Sequence, residues 1–78
     1  MRALVKDPDK IASAALFGTK LEPVSIRELS NRTGISEATL RRYRRRPAGM
    51  TLENLAQICK VRGLEADRIG EIVKVYRG

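Results

Sequence analysis

The stretch Ser25–Tyr43, SIRELSNRTGISEATLRRY, constrains this chain more than any other, because within it one helix must stop and another must start almost at once. Ser25 followed three positions later by Glu28 is a capping box, in which the serine oxygen and the glutamate carboxylate each satisfy a free amide at a helix start. Ile26, Leu29, Ser30 and Thr33 then fall at i, i+3, i+4 and i+7, so apolar and small residues share one helical face. Gly34 stands where a left-handed stop is wanted, a geometry that glycine alone takes without steric cost. Ile35 is expected to point back to the core and Ser36 to cap the next helix. Two helices joined so tightly must cross at a steep angle.

The second helix, over residues 36–45, divides by side. Advancing about 100° per residue from Leu40, Ser36 and Tyr43 lie beside it, with Arg44 at the edge. Ala38, Arg41, Arg42 and Arg45 group on the opposite side. One face can pack, and the other is cationic with a small residue at its front. The unit, about residues 25–45, is a helix-turn-helix. Its second helix suits the major groove of a duplex, where arginine pairs with guanine O6 and N7.

On these residues the chain resembles the lambda-repressor-like (Cro/XRE) helix-turn-helix family, with Leu29, Gly34, Ile35, Leu40 and Tyr43 at the family's structural positions. Ser30 stands where the family usually has alanine, a small-for-small change. The family often carries glutamine at the front of its recognition helix, whereas this chain has Ser36, Glu37 and Ala38, so its base preference does not carry over. The segment GISEATLRRY also suits MerR- or excisionase-like modules, but those continue into a wing, and the chain beyond the arginine cluster reads as helical. The resemblance implies that Ser36, Glu37, Ala38, Arg41 and Arg42 reach base edges or the nearest phosphates, and Arg42, at the centre of the outward face, is the expected principal reader. Arg27, Thr39, Arg45 and Arg46 are the expected phosphate contacts. Glu37 also stands four residues before Arg41, the favourable order for an ion pair along a helix.

The remaining chain reads as a scaffold for that unit. Met1–Lys6 is expected to be a loose segment whose Arg2 and Lys6 could reach a duplex as an arm. Asp7-Pro8 starts a first helix running to about Phe17, with Ile11, Ala14, Ala15 and Phe17 on its packing face and Gly18 at its end. After the recognition helix, Pro47 breaks the chain and Ala48-Gly49-Met50 turns it. Thr51 caps a fourth helix, in which Leu52, Leu55, Ala56 and Cys59 repeat at helical spacing and Ile58 widens the stripe. Gly63 ends it. A fifth helix, roughly Ala66–Tyr76, carries Ile69, Ile72, Val73 and Tyr76 on one face, although Gly70 weakens it by about 1 kcal/mol relative to alanine. The expected fold class is therefore all-α. It is a single domain over residues 1–78, a compact bundle of about five short helices with the helix-turn-helix as the second and third.

Seventy-eight residues allow only a small core, and a symmetric dimer would extend it. Ile72, Val73, Val75 and Tyr76 offer a surface for a homodimer, or else they close the monomer core. Residues 41–46, RRYRRR, carry +5 of the net charge of +7, so the basicity is local and points to a polyanion. A solvated helix end facing its own dipole would need only one or two of those cations.

Other functions find little support. There is no histidine, a lone cysteine makes no metal cluster, and the nine acidic residues form no catalytic spacing, so neither an enzyme nor a cofactor is expected. Cys59 belongs to the packed stripe of its helix. One cysteine fits a reducing cytoplasm, and no apolar run approaches a membrane span. IASAALFG holds a cleavage-like A-x-A, but the charged KDPDK precedes it where a signal peptide would be apolar. The leading expectation is a small sequence-specific regulator of double-stranded DNA, of phage, prophage or bacterial repressor type. Its rivals are a binder of nucleic acid without sequence choice, RNA included, and an antitoxin or phage adaptor that works through protein contacts.

Overall fold

The computed structural model describes residues 7–77. The expectation of a loose segment and arm at Met1–Lys6 lies outside the described residues. Among the described residues five α-helices succeed one another: α1 Pro8–Phe17, α2 Ile26–Thr33, α3 Glu37–Arg45, α4 Leu52–Arg62 and α5 Ala66–Arg77. A 3-10 turn, Pro47–Gly49, links α3 to the approach to α4. The class is all-α; among the described residues the extended pairing is one isolated bridge, Gly18 to Pro23.

Each of the first four helices starts on a side-chain cap. The Asp7 carboxylate accepts from the N–H groups of Asp9 and Lys10 at 3.1 and 3.3 Å. Ser25 Oγ accepts from the Glu28 N–H at 3.1 Å, Ser36 Oγ from Thr39 at 3.2 Å and Thr51 Oγ1 from Asn54 at 3.1 Å. Only the serine half of the Ser25 capping box forms, since the Glu28 carboxylate makes no return bond among the described residues. Gly34 and Gly63 close α2 and α4 in the left-handed conformation, with φ of 80° and 71°. α5 runs unbroken through Gly70.

The core gathers Ala12, Leu16 and Phe17 of α1, Ile26 and Leu29 of α2, Ile35 of the turn, Leu40 and Tyr43 of α3, Ile58 and Cys59 of α4 and Ile72 of α5. α1 is the centre of this arrangement, packing on α3, α4, α5 and the 3-10 turn, while α2 lies against α3 and α4. The Arg62 guanidinium, at the end of α4, donates through Nε to the Leu16 carbonyl at 3.1 Å, so one helix supplies a C-terminal partner for another. At the opposite end of α1, Tyr76 Oη donates to the Asp9 carboxylate at 2.6 Å. Partial burial and the adjoining Asp9 charge both hold the Tyr76 phenol well above its ordinary range.

Two packing faces differ from the pattern read in the sequence. On α1 the buried side is Ala12, Leu16 and Phe17, and Ile11 is 38% exposed, with Ala14 and Ala15 only half-buried. Phe17 is buried as expected; the rest of the buried side is Ala12 and Leu16 in place of Ile11, Ala14 and Ala15, a phase decided by the contacts of α1 with α3, α5 and the 3-10 turn. On α4, Leu52 is 84% exposed and Ala56 is exposed, while Ile58 and Cys59 are buried and Leu55 is half-buried. Leu52 occupies the first turn of α4, beyond the reach of the core, so the stripe centres on Ile58 instead.

Gly18 is the tightest backbone position. Its φ of 84° and ψ of −179° belong to a region open only to glycine, and a Cβ there would lie 2.3 Å from the Glu22 carbonyl oxygen. Gly34 is also left-handed but has open space around it. Gly18→Ala is therefore expected to cost about 3 kcal/mol, and Gly34→Ala about 1 kcal/mol. Denaturant unfolding of the two variants checks both the sizes and the order.

Candidate nucleic-acid interface

The turn between α2 and α3 is closed by hydroxyls as well as by glycine. The Gly34 N–H donates to the Ser30 carbonyl at 2.9 Å. Thr33 Oγ1 donates to the Leu29 carbonyl at 2.8 Å and accepts from the Ile35 N–H at 3.1 Å. Ser30 Oγ donates to the Ile35 carbonyl. Both backbone polar groups of Ile35 are thus taken by α2 side chains, and the Ile35 side chain is buried in the core. Ser30 is more than a small residue that fits, because an alanine there would leave the Ile35 carbonyl without this donor.

α3 begins one residue later on its Ser36 cap. The Ser36 hydroxyl also donates to Thr39 Oγ1 at 2.9 Å. Ser36 is exposed and lies before the helix, not beside Leu40 on the packed side where the wheel put it, because a cap residue has left helical geometry. Leu40 is fully buried and Tyr43 is buried, with Tyr43 Oη accepting from Asn54 Nδ2 of α4 at 2.7 Å. Thr39, on the flank, is half-buried.

The outward side of α3 carries Ala38, Arg41, Arg42 and Arg45, all four exposed, and Arg46 at the C-cap is exposed as well. Arg41 donates through Nη2 to Glu37 Oε1 at 3.1 Å, forming the ion pair expected from their spacing. Among the described residues, Arg42, Arg44, Arg45 and Arg46 have no side-chain hydrogen-bond or ion-pair partner. Arg44, read as an edge residue, is exposed too. Arg27 is exposed on the first turn of α2, a separate element from the α3 group. The structure therefore brings Ala38, Arg41, Arg42, Arg45 and Arg46 together along one helix and its end.

Charge along α3 runs with the helix dipole, with Glu37 in the first turn and Arg42, Arg44 and Arg45 in the last. Cys59 is buried, and burial pushes its thiol above the ordinary range, which disfavours the thiolate. No helix among the described residues is long and apolar enough to cross a membrane. The contact that sequence reasoning missed is Asn54. A polar residue beside Leu55 near the start of α4 was the available signal, but its partner, Tyr43, lies on another helix.

A family model described as Cro/C1-type HTH DNA-binding domain matches residues 21–76, well over half of the chain. The matched span starts in the loop before α2 and ends within α5. No curated protein and no solved structure matches the chain.

Removing the Ser30 hydroxyl tests the closure of the turn. Ser30→Ala is expected to destabilise the protein by about 1 kcal/mol, the value of one hydrogen bond to a backbone carbonyl, despite alanine's better helix propensity. A neutral or stabilising change in thermal unfolding would show that Gly34 alone holds the turn.

Proposed function

The chain belongs to the Cro/C1-type helix-turn-helix DNA-binding family, and from that membership we propose that it is a sequence-specific regulator of transcription, a small repressor of phage, prophage or bacterial type that sets α3 into the major groove. The family makes it a DNA-binding protein; sequence choice and repression are the further reading. The observation that carries this reading is the outward side of α3, where Arg42 and Arg45 are exposed and without side-chain partners among the described residues, while Leu40 and Tyr43 anchor the opposite side. Guanidinium groups held in that way meet the fork geometry of guanine O6 and N7 without first breaking an internal bond.

Within this reading Arg42 is the principal base reader, and Ala38 brings the helix front close to the base edges. Arg41 reaches the duplex only by sharing or leaving Glu37, so Glu37 tunes Arg41 as much as it reads a base. Ser36 acts mainly through its cap. Arg45 and Arg46 anchor phosphates at the far end of α3, with Thr39 on its flank and Arg27 from the start of α2. A module of this size reads only a few base pairs, so two copies on a two-fold site complete the recognition. For the dimer, Val73 and Tyr76 supply the exposed apolar surface on α5, beside an open groove of about 300 Å³ that Leu55 and Met50 also line. Ile72 is buried in the monomer core and drops out of that surface, and Val75 is half-buried.

The test is affinity for a duplex selected from a random pool against affinity for random duplex. A ratio of about 10³ or more is expected, and near-equality would replace this reading with binding to nucleic acid at large. Tight binding to a protein partner without salt-sensitive duplex binding would favour the adaptor instead. Arg42→Ala is expected to cost about 1–3 kcal/mol and to relax preference at one base position. Arg46→Ala should weaken every duplex alike and lower the salt slope by about one. Equal weakening of all sequences by both variants would show that readers and anchors are not divided in this way.

A further inference from the structure

We propose that Asn54, on α4, is a positioning residue that sets the rotation of α3 about its own axis through the Tyr43 hydroxyl, and that base discrimination depends on it. The inference rests on α3 being the helix that enters the major groove. Among the described residues, α3 has two buried side chains, Leu40 and Tyr43, to attach it to the body. Apolar contact is non-directional, so two such contacts hold a helix close without fixing its roll. At the front of α3 the roll is limited by Ile35, whose backbone is bound by Ser30 and Thr33. Toward the back, the bond from Asn54 Nδ2 to Tyr43 Oη, 2.7 Å long, is the one side-chain hydrogen bond between α3 and another element among the described residues.

Asn54 is well placed to act as a fixed point. Its N–H is held by the Thr51 cap at 3.1 Å, and its side chain is half-buried on a helix whose later turn carries the fully buried Ile58. Tyr43 sits between Arg42 and Arg44 in the chain, so any roll at Tyr43 is transmitted directly to the guanidinium groups. A roll of about 10° moves a side-chain tip about 6 Å from the helix axis by about 1 Å. That displacement spans the whole difference between a formed and a broken hydrogen bond. Phosphate contacts from Arg45 and Arg46 tolerate it, because long side chains and point charges adjust, whereas a two-pronged contact to a base does not.

The experiment compares the ratio of selected-duplex to random-duplex affinity in Asn54→Ala, Tyr43→Phe, the double variant and Asn54→Asp. Asn54→Ala and Tyr43→Phe should each lower the ratio about fivefold, the equivalent of one hydrogen bond, with random-duplex affinity nearly unchanged. The double variant should fall no further than the single ones, since both remove the same bond. In Asn54→Asp the carboxylate accepts from the Tyr43 hydroxyl, so the bond survives with its polarity reversed. That variant should keep the wild-type ratio while its added negative charge weakens every duplex alike. Tyr43→Phe retains the buried ring, so the comparison does not depend on a variant that fails to fold. Lower melting temperatures with an unchanged ratio in both single variants would overturn the proposal and leave Asn54 a stabilising contact. Additive losses in the double variant would also overturn it. A wild-type protein without sequence preference would instead remove the regulator reading itself, and the positioning role with it.

Discussion

The closed turn at Gly34 is the constraint on which the rest of the structure depends. A left-handed glycine redirects the chain, but it would do so loosely if nothing else held Ile35. Ser30 and Thr33 take up the carbonyl and the amide of that residue, and its side chain enters the core. Once Ile35 is fixed, Ser36 has one place to begin α3, and Leu40 arrives one turn later in a site with no exposure. The angle between α2 and α3 is therefore determined by a short run of residues acting in succession. Everything on the outer side of α3 inherits its direction from them.

How much of this was legible in the sequence depended on whether the signal was local. Caps and stops are local chemistry: Asp7, Ser25, Ser36 and Thr51 start helices, and Gly34 and Gly63 end them where short-range rules put them. The ion pair of Glu37 with Arg41 is equally local, one helical turn apart. Phase was harder. α1 offers two apolar sides, Ile11 with Ala14 and Ala15 or Ala12 with Leu16, and only contact with α3 and α5 decides between them. Leu52 failed for a related reason, since spacing marks a face but not how far along the helix the core extends. The bonds of Arg62 to Leu16, Tyr76 to Asp9 and Asn54 to Tyr43 join residues from different helices, and no periodicity announces them.

The arginine cluster is a feature of composition and not of packing. Of the arginines in 41–46, Arg41 alone is tied to a carboxylate among the described residues, and Arg42, Arg44, Arg45 and Arg46 are exposed. Four like charges within five positions repel one another, and screening by salt relieves only part of that cost. A fold with a core this small gains nothing in stability from such a cluster. Its presence is understandable when the missing counter-charge is supplied by a phosphate backbone, whose released counterions then favour the complex.

The small core also explains why polar bonds do so much of the positioning here. Among the described residues, α3 contributes only Leu40 and Tyr43 to the buried core, and α5 only Ile72. With so few interlocking side chains, packing keeps the helices together but leaves their relative rotation soft. Directional bonds at the helix ends compensate: Arg62 to the end of α1, Tyr76 to its beginning, Ser30 and Thr33 at the front of α3 and Asn54 toward its back. Each costs little desolvation because it lies half-buried or at the surface, where water can complete the remaining partners. A larger domain could hold a recognition helix by volume alone. This one holds it by placing hydrogen bonds where a slip of the helix would break them.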